Sequence, residues 1–153
     1  MDPKYAYMKD PVTGEVDPRI KHGPKVNESP RTGDDVYLIT KYPNEGADIP
    51  VSRADEARLI IAEYAAMTND LATAVSYINE VRADDGLAVF SSTDQAEVIT
   101  QLKYERSVEL WYEGRRWQDM RYYEIIPDRW AQVNKTKGIH RRWPVSQREK
   151  DNM

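Results

Sequence analysis

The residues best placed for proton chemistry are Glu105, Glu109 and Glu113, spaced four apart within the run ERSVELWYEGRRWQDMR. On a helix this spacing puts three carboxylates on one face. A pair of carboxylates is what glycoside cleavage uses, one as general acid and the other as base or nucleophile. The interleaved Arg106, Arg115, Arg116 and Arg121 argue against that use, because guanidinium groups lower a carboxyl pKa where a general acid needs it raised. The expected role is structural. Arg106, Glu109, Glu113, Arg116 and Asp119 would pair among themselves and with Arg53 or Arg82 as a partly buried ionic network beside Leu110, Trp111 and Trp117. In a continuous helix Glu113 would lie over Arg116, and Arg115 over Asp119. The competing reading is a solvated helix face laced with surface ion pairs.

Other chemistries find little support. His22 and His140 fall on irregular segments without a second histidine or a carboxylate at ligand spacing, so no metal is expected. The absence of cysteine removes disulfides, thiolate zinc sites and a cysteine nucleophile. There is no Gly-rich phosphate loop, serine elbow or zinc-helix motif, and neither enzymatic activity nor a cofactor is expected. With 22 Lys plus Arg against 26 Asp plus Glu, the 153-residue chain has a formal charge of -4 and lacks the basic excess of a nucleic-acid binder.

The elements that position the ladder follow from pattern. Residues 1–50 hold seven of the nine prolines and read as an irregular segment packed on or preceding a helical body, residues 51–153. Within the leader only Val36–Tyr42, VYLITKY, reads as one short strand or extended segment. The spacing predicts a helix over Ser52–Met67, N-capped by Ser52, with an apolar face of Leu59, Ile60, Ala62, Tyr64 and Ala66. A second helix is expected over Asp70–Asp84, stopped by Gly86, and the pair forms a tetratricopeptide-like hairpin that calls for neighbours. A capping box at Asp94/Glu97 or Ser92/Gln95 opens a third, long helix running into the carboxylate ladder, with Gly114 bending or ending it and another turn or two over Trp117–Ile125. The expected fold class is mainly α, with extended irregular loops and little or no β.

The order of residues from Glu105 to Arg121 resembles the C-terminal signature of the SusD/RagB family, E-R-x-x-E-L-x-x-E-G-x-R-W-x-D-L-x-R. It matches at Glu105, Arg106, Glu109, Leu110, Glu113, Gly114, Arg116, Trp117, Asp119 and Arg121, with Met120 in place of leucine. DIPVSRADEARLIIAEY and AVSYINEVR are similar to the family's helical-pair motifs through Arg53, Glu56, Glu63, Asn79 and Arg82. Near the end, Pro144, Val145 and Glu149 match the closing segment, while Ser146 replaces a usual proline.

The resemblance implies a non-catalytic, surface-exposed glycan-binding lipoprotein of a Bacteroidota outer membrane. Its partners would be an oligo- or polysaccharide and a SusC-like TonB-dependent transporter. Family members are exported and lipid-anchored, whereas the opening MDPKYAYMKDP has no signal-like apolar run and the chain has no cysteine. A C-terminal part of a longer protein is therefore expected. No stretch reaches the roughly 20 apolar residues of a membrane span, since Leu59–Met67 is broken by Glu63. Sugar rings stack on aromatic side chains, and Tyr5, Tyr7 and Trp130 are the expected glycan contacts, with ordinary packing as their other reading. The alternatives to glycan capture are a tetratricopeptide-like adaptor that binds protein in the hairpin groove and a small glycoside hydrolase resting on the carboxylate ladder.

Overall fold

The computed structural model describes residues 7–28, 33 and 35–124. The chain divides into two compact units, Met1–Gly114 and Arg115–Met153. Among the described residues the first unit holds β1 (His22–Glu28), β2 (Asp35–Ile39), α1 (Ala54–Met67), α2 (Leu71–Asp84) and α3 (Gln95–Glu109), and the second holds α4 (Arg116–Tyr122). The architecture is mainly α with a small two-stranded sheet.

β1 and β2 form an antiparallel ribbon whose register shifts between His22 and Lys25 and again between Lys25 and Asn27. β2 overlaps the extended stretch expected over Val36–Tyr42, starting one residue earlier, at Asp35, and ending at Ile39. β1 was not expected, because HGPKVNE carries Pro24 and no apolar alternation; its burial pattern is almost wholly exposed. Pairing with β2, rather than side-chain burial, makes it a strand.

α1 begins two residues later than expected. Arg53, in extended conformation, holds the N-cap position without a side-chain cap hydrogen bond, and Ser52 lies outside the helix. α1 ends in a Schellman motif, with Asn69 at φ 63° and Asp70 N–H donating to Ala65 O at 2.8 Å. Asp70 then caps α2 by accepting from Thr73 N–H at 3.2 Å. A second Schellman motif closes α2, with Gly86 at φ 67° and Leu87 N–H on Arg82 O at 2.9 Å. At α3 the Asp94/Glu97 alternative holds, with Asp94 accepting from Glu97 N–H at 2.9 Å; Ser92 does not cap with Gln95 but accepts from Asp94 N–H at 3.0 Å and donates its hydroxyl to the Glu97 carboxylate at 2.6 Å.

The core consists of two apolar clusters. One joins Leu59, Ala62, Ala65 and Ala66 of α1 to Ala74, Ile78 and Val81 of α2 and Val98 and Leu102 of α3. Small alanines let α1 and α2 approach closely. On α1 the apolar face is narrower than its composition suggested, for Ile60, Ile61 and Tyr64 are exposed at 53%, 43% and 73%. The second cluster comprises Ile20, Val108 and Trp111, with Met8, Ile39 and Tyr104 packed against it. Along α3, Leu102 belongs to the first cluster and Val108 to the second, so Glu105 occupies the helical turn where the two meet.

The carboxylate ladder does not stay on one helix. α3 stops at Glu109, and residues 110–114 form turns with Tyr112 at φ 63° and Gly114 at φ 78°. The ladder therefore does not continue as one helix through Glu113. In the second unit, α4 buries Asp119 and Met120, and the Tyr122 and Tyr123 rings meet edge to face at 5.0 Å.

Candidate functional site

The first unit is organised around a buried ionic centre on Glu105. Its side chain has no exposed surface; Oε1 accepts from Arg82 Nη1 at 2.6 Å and Gln101 Nε2 at 2.6 Å, and Oε2 accepts from Arg19 Nη1 at 2.7 Å. Each arginine is also committed to an aspartate from the N-terminal segment. Arg82 forks onto Asp10 at 3.0 and 2.9 Å and donates its Nε–H to Ala88 O at 2.6 Å. Arg19 forks onto Asp17 at 3.0 and 2.8 Å, and Asp17 also accepts the Tyr104 hydroxyl at 2.8 Å. Charges this deeply placed persist only when paired and hydrogen-bonded throughout, and planar guanidinium–carboxylate forks provide that geometry.

Burial would raise the Asp10 and Asp17 pKa values, but the hydrogen bonds from Arg82 and Arg19 outweigh it and hold both carboxyls below the usual aspartate range. Tyr104 moves the other way: burial, followed by the bond to Asp17, keeps its phenol well above its ordinary value. Asp10 and Asp17 are thus ionised at neutral pH, and Tyr104 is neutral.

A second cluster closes the end of α3. Arg53 Nη2 donates to Glu109 O at 2.8 Å and to the Glu109 carboxylate, and it lies 3.3 Å from Glu113. Lys41 Nζ donates to Trp111 O at 2.7 Å and to Glu113 at 2.6 Å. Two cations therefore meet carbonyls at the helix C-terminus and the turn beyond it, where the dipole favours them. The Glu109 pKa is raised, chiefly by burial, with Asp85 adding to the rise and Arg53 and Arg19 opposing it. The interleaved arginines would be expected to depress it. Burial wins instead, because Arg19, 3.6 Å away, is already engaged by Asp17 and Glu105.

The other residues named from sequence lie as follows. Arg82 engages Asp10 and Glu105. Arg106 reaches Glu63 on α1 at 3.8 Å, from a different side of α3. Arg116 and Asp119 belong to the second unit. Asp10, Asp17, Arg19 and Lys41 were not anticipated, and Glu105 was noticed only as a rung of the ladder. The signal available was weak: two Asp-Pro steps, Asp10-Pro11 and Asp17-Pro18, which mark turns without indicating a distant partner.

Of the expected glycan contacts, Tyr5 and Trp130 lie outside the described residues, as does His140. Tyr7 is 55% exposed and joins His22 and Tyr37 in a three-ring cluster on the ribbon. The ring centroids are 5.9 Å apart for Tyr7–His22, 5.6 Å for Tyr7–Tyr37 and 5.4 Å for His22–Tyr37, all edge to face. A hydrogen bond with Tyr7 is the main cause that raises the Tyr37 phenol. His22, expected on an irregular segment, opens β1 and is the third ring of this cluster, with Nδ1 2.9 Å from Gly23 O.

No helix among the described residues is long and apolar enough to cross a membrane. A sequence model described as the SusD family matches residues 28–152. No curated protein and no solved structure matches the chain.

Proposed function

The chain belongs to the SusD family, and from that premise we propose that it serves as a non-catalytic glycan-binding component of an outer-membrane polysaccharide uptake system, working beside a SusC-like TonB-dependent transporter. The family match over residues 28–152 carries this reading. The ring cluster of Tyr7, His22 and Tyr37 adds a local instrument, since ring faces stack on the apolar C–H faces of sugars while the phenols hydrogen-bond to hydroxyls. A scaffold role for the ladder is supported by how its oxygens are used. Glu105 accepts from three side chains, Glu109 from Arg53 and Glu113 from Lys41. The raised Glu109 pKa is the direction a general acid needs, but Arg53 already occupies its carboxylate.

The test is calorimetric titration with neutral starch-type and host-type oligosaccharides, alongside a pull-down of a SusC-like transporter. Binding of one glycan class is expected, weakened on the order of tenfold by Tyr7→Ala or Tyr37→Ala, about 1.4 kcal/mol. No binding of any glycan and no transporter recovered would sink the reading, and hydrolysis of a glycan would favour the hydrolase.

One observation favours the adaptor as a second reading. Ile60, Tyr64 and Met67, at i, i+4 and i+7 on α1, are exposed at 53%, 73% and 45% and form an apolar stripe suited to another helix. Ile60→Asp with Tyr64→Ser should then abolish protein capture while glycan binding persists.

A further inference from the structure

We infer that the cavity beside the C-terminal end of α3 is an oxyanion site, built to take a carboxylate or sulfate group of a small ligand. The cavity measures about 380 Å³ and is lined by Arg19, Lys21, Lys41 and Arg53 against Asp85 and Glu109. That volume falls at the small end of ligand pockets, about 300–1,000 Å³.

The charge count alone would not decide the ligand, because much of the positive charge is already used. Arg19 is spent on Asp17 and Glu105. The donors left over make the case. Lys41 commits two of its three N–H bonds, to Trp111 O and Glu113, leaving the third. Arg53 directs Nη2 at Glu109, while its Nε–H is buried and meets no acceptor among the described residues. Lys21 is exposed, with no ionic partner among the described residues.

These three residues come from the segment before β1, the segment after β2 and the N-cap of α1. Two of them are held in place by the carboxylates at the α3 terminus, so the donors are positioned before any ligand arrives. An oxyanion offers several acceptor atoms at once to the donors that remain open to the cavity. Asp85 and Glu109 disfavour a bare anion, but Glu109 is engaged by Arg53 and carries a pKa raised by burial. A neutral sugar could accept hydrogen bonds here but would leave the Lys21 ammonium without a counter-charge, so the oxyanion is the better occupant. The same chemistry could reach the cavity as a free inorganic anion or as the acidic group of a sugar unit.

Titration calorimetry and thermal unfolding of the whole chain test this at constant ionic strength, with sodium sulfate, glucuronate, glucose or chloride as the probe. Sulfate or glucuronate should bind and raise Tm, whereas glucose and chloride should not. Binding of both anions would mean that the oxyanion suffices; binding of glucuronate alone would assign the cavity to an acidic sugar. Lys21→Ala, at an exposed position outside the ionic centre, should keep its unliganded Tm and weaken the binding anion about threefold to tenfold. Equal effects of chloride and sulfate, glucose binding as well as glucuronate, binding of neither anion, or unchanged affinity in Lys21→Ala would each overturn the assignment.

Discussion

Arg82 on α2 and Glu105 on α3 meet at 2.6 Å with neither side chain exposed, and Asp10, 72 residues before Arg82, completes the fork on the arginine's other edge. A helical hairpin, the third helix and the N-terminal segment are thereby tied at one point. Such pairs add little net stability against an apolar replacement, but removing one partner strands a buried charge.

Glu105→Gln and Arg82→Met are therefore each expected to lower unfolding stability by about 3–5 kcal/mol. Urea unfolding followed by circular dichroism measures this. The double variant should lose less than the sum of the two, because each single change has already broken the shared contact. Losses below about 1 kcal/mol in both single variants, the scale of an exposed pair, would mean that the centre does not hold the helices together.

Acid should attack the N-terminal aspartates. The folded-state pKa values of Asp10 and Asp17 lie below the ordinary 3.8. Their contribution is thus fully present above pH 3.8 and is lost as pH falls through the folded-state values. Glu109, raised above 4.5, has the opposite sign. Its penalty is absent below pH 4.5 and develops as pH rises through its folded-state value. Urea midpoints between pH 2.5 and 7, about the range where carboxylates titrate, should fall steeply at the acid end in the wild type. Asp17→Asn should start lower at neutral pH and show a shallower acid slope; an unchanged slope would assign acid unfolding to other groups.

At the α3 terminus, Lys41→Met should cost about 1–3 kcal/mol, the size of a hydrogen bond to a charged group. It removes the donor to both Trp111 O and Glu113. Arg53→Met should cost more, since Arg53 meets the Glu109 main chain and carboxylate together and approaches Glu113. Thermal unfolding ranks the two, and the reverse order would show that Lys41 is the principal anchor.

Local signals were legible where short-range chemistry fixes them. Asp70, Gly86 and Asp94 work at the helix ends where the sequence placed stop and start signals, and Asn79, matched to a family motif, forms a double hydrogen bond with the Phe90 backbone at 2.9 and 2.8 Å. Partner choice was not legible. Arg19 and Glu105 are 86 residues apart, and nothing in the leader's proline-rich pattern marks Arg19 as buried. The continuous ladder helix failed for a related reason. Periodicity carries through Glu113, but two left-handed residues near the end of the run turn the backbone, and Tyr112 has no composition signal for that conformation.

Those two left-handed residues allow a comparison at a single turn. A side chain at Gly114 would meet nothing within 4 Å, so a cost of Gly114→Ala can come only from its φ of 78°. The left-handed region disfavours an L-residue by about 1–2 kcal/mol, and Gly114→Ala should lose about that much. Tyr112 already bears the same strain at φ 63°. Its ring, although 58% exposed, lies 5.6 Å from Trp111 and 6.3 Å from Tyr42. Tyr112→Gly should release the backbone strain and forfeit ring contacts worth about 0.5–1.5 kcal/mol per pair, leaving stability within about 1 kcal/mol of the wild type. Paired denaturation curves decide the matter: if Gly114→Ala is neutral while Tyr112→Gly is strongly destabilising, the turn is held by its aromatic contacts and not by its backbone conformation.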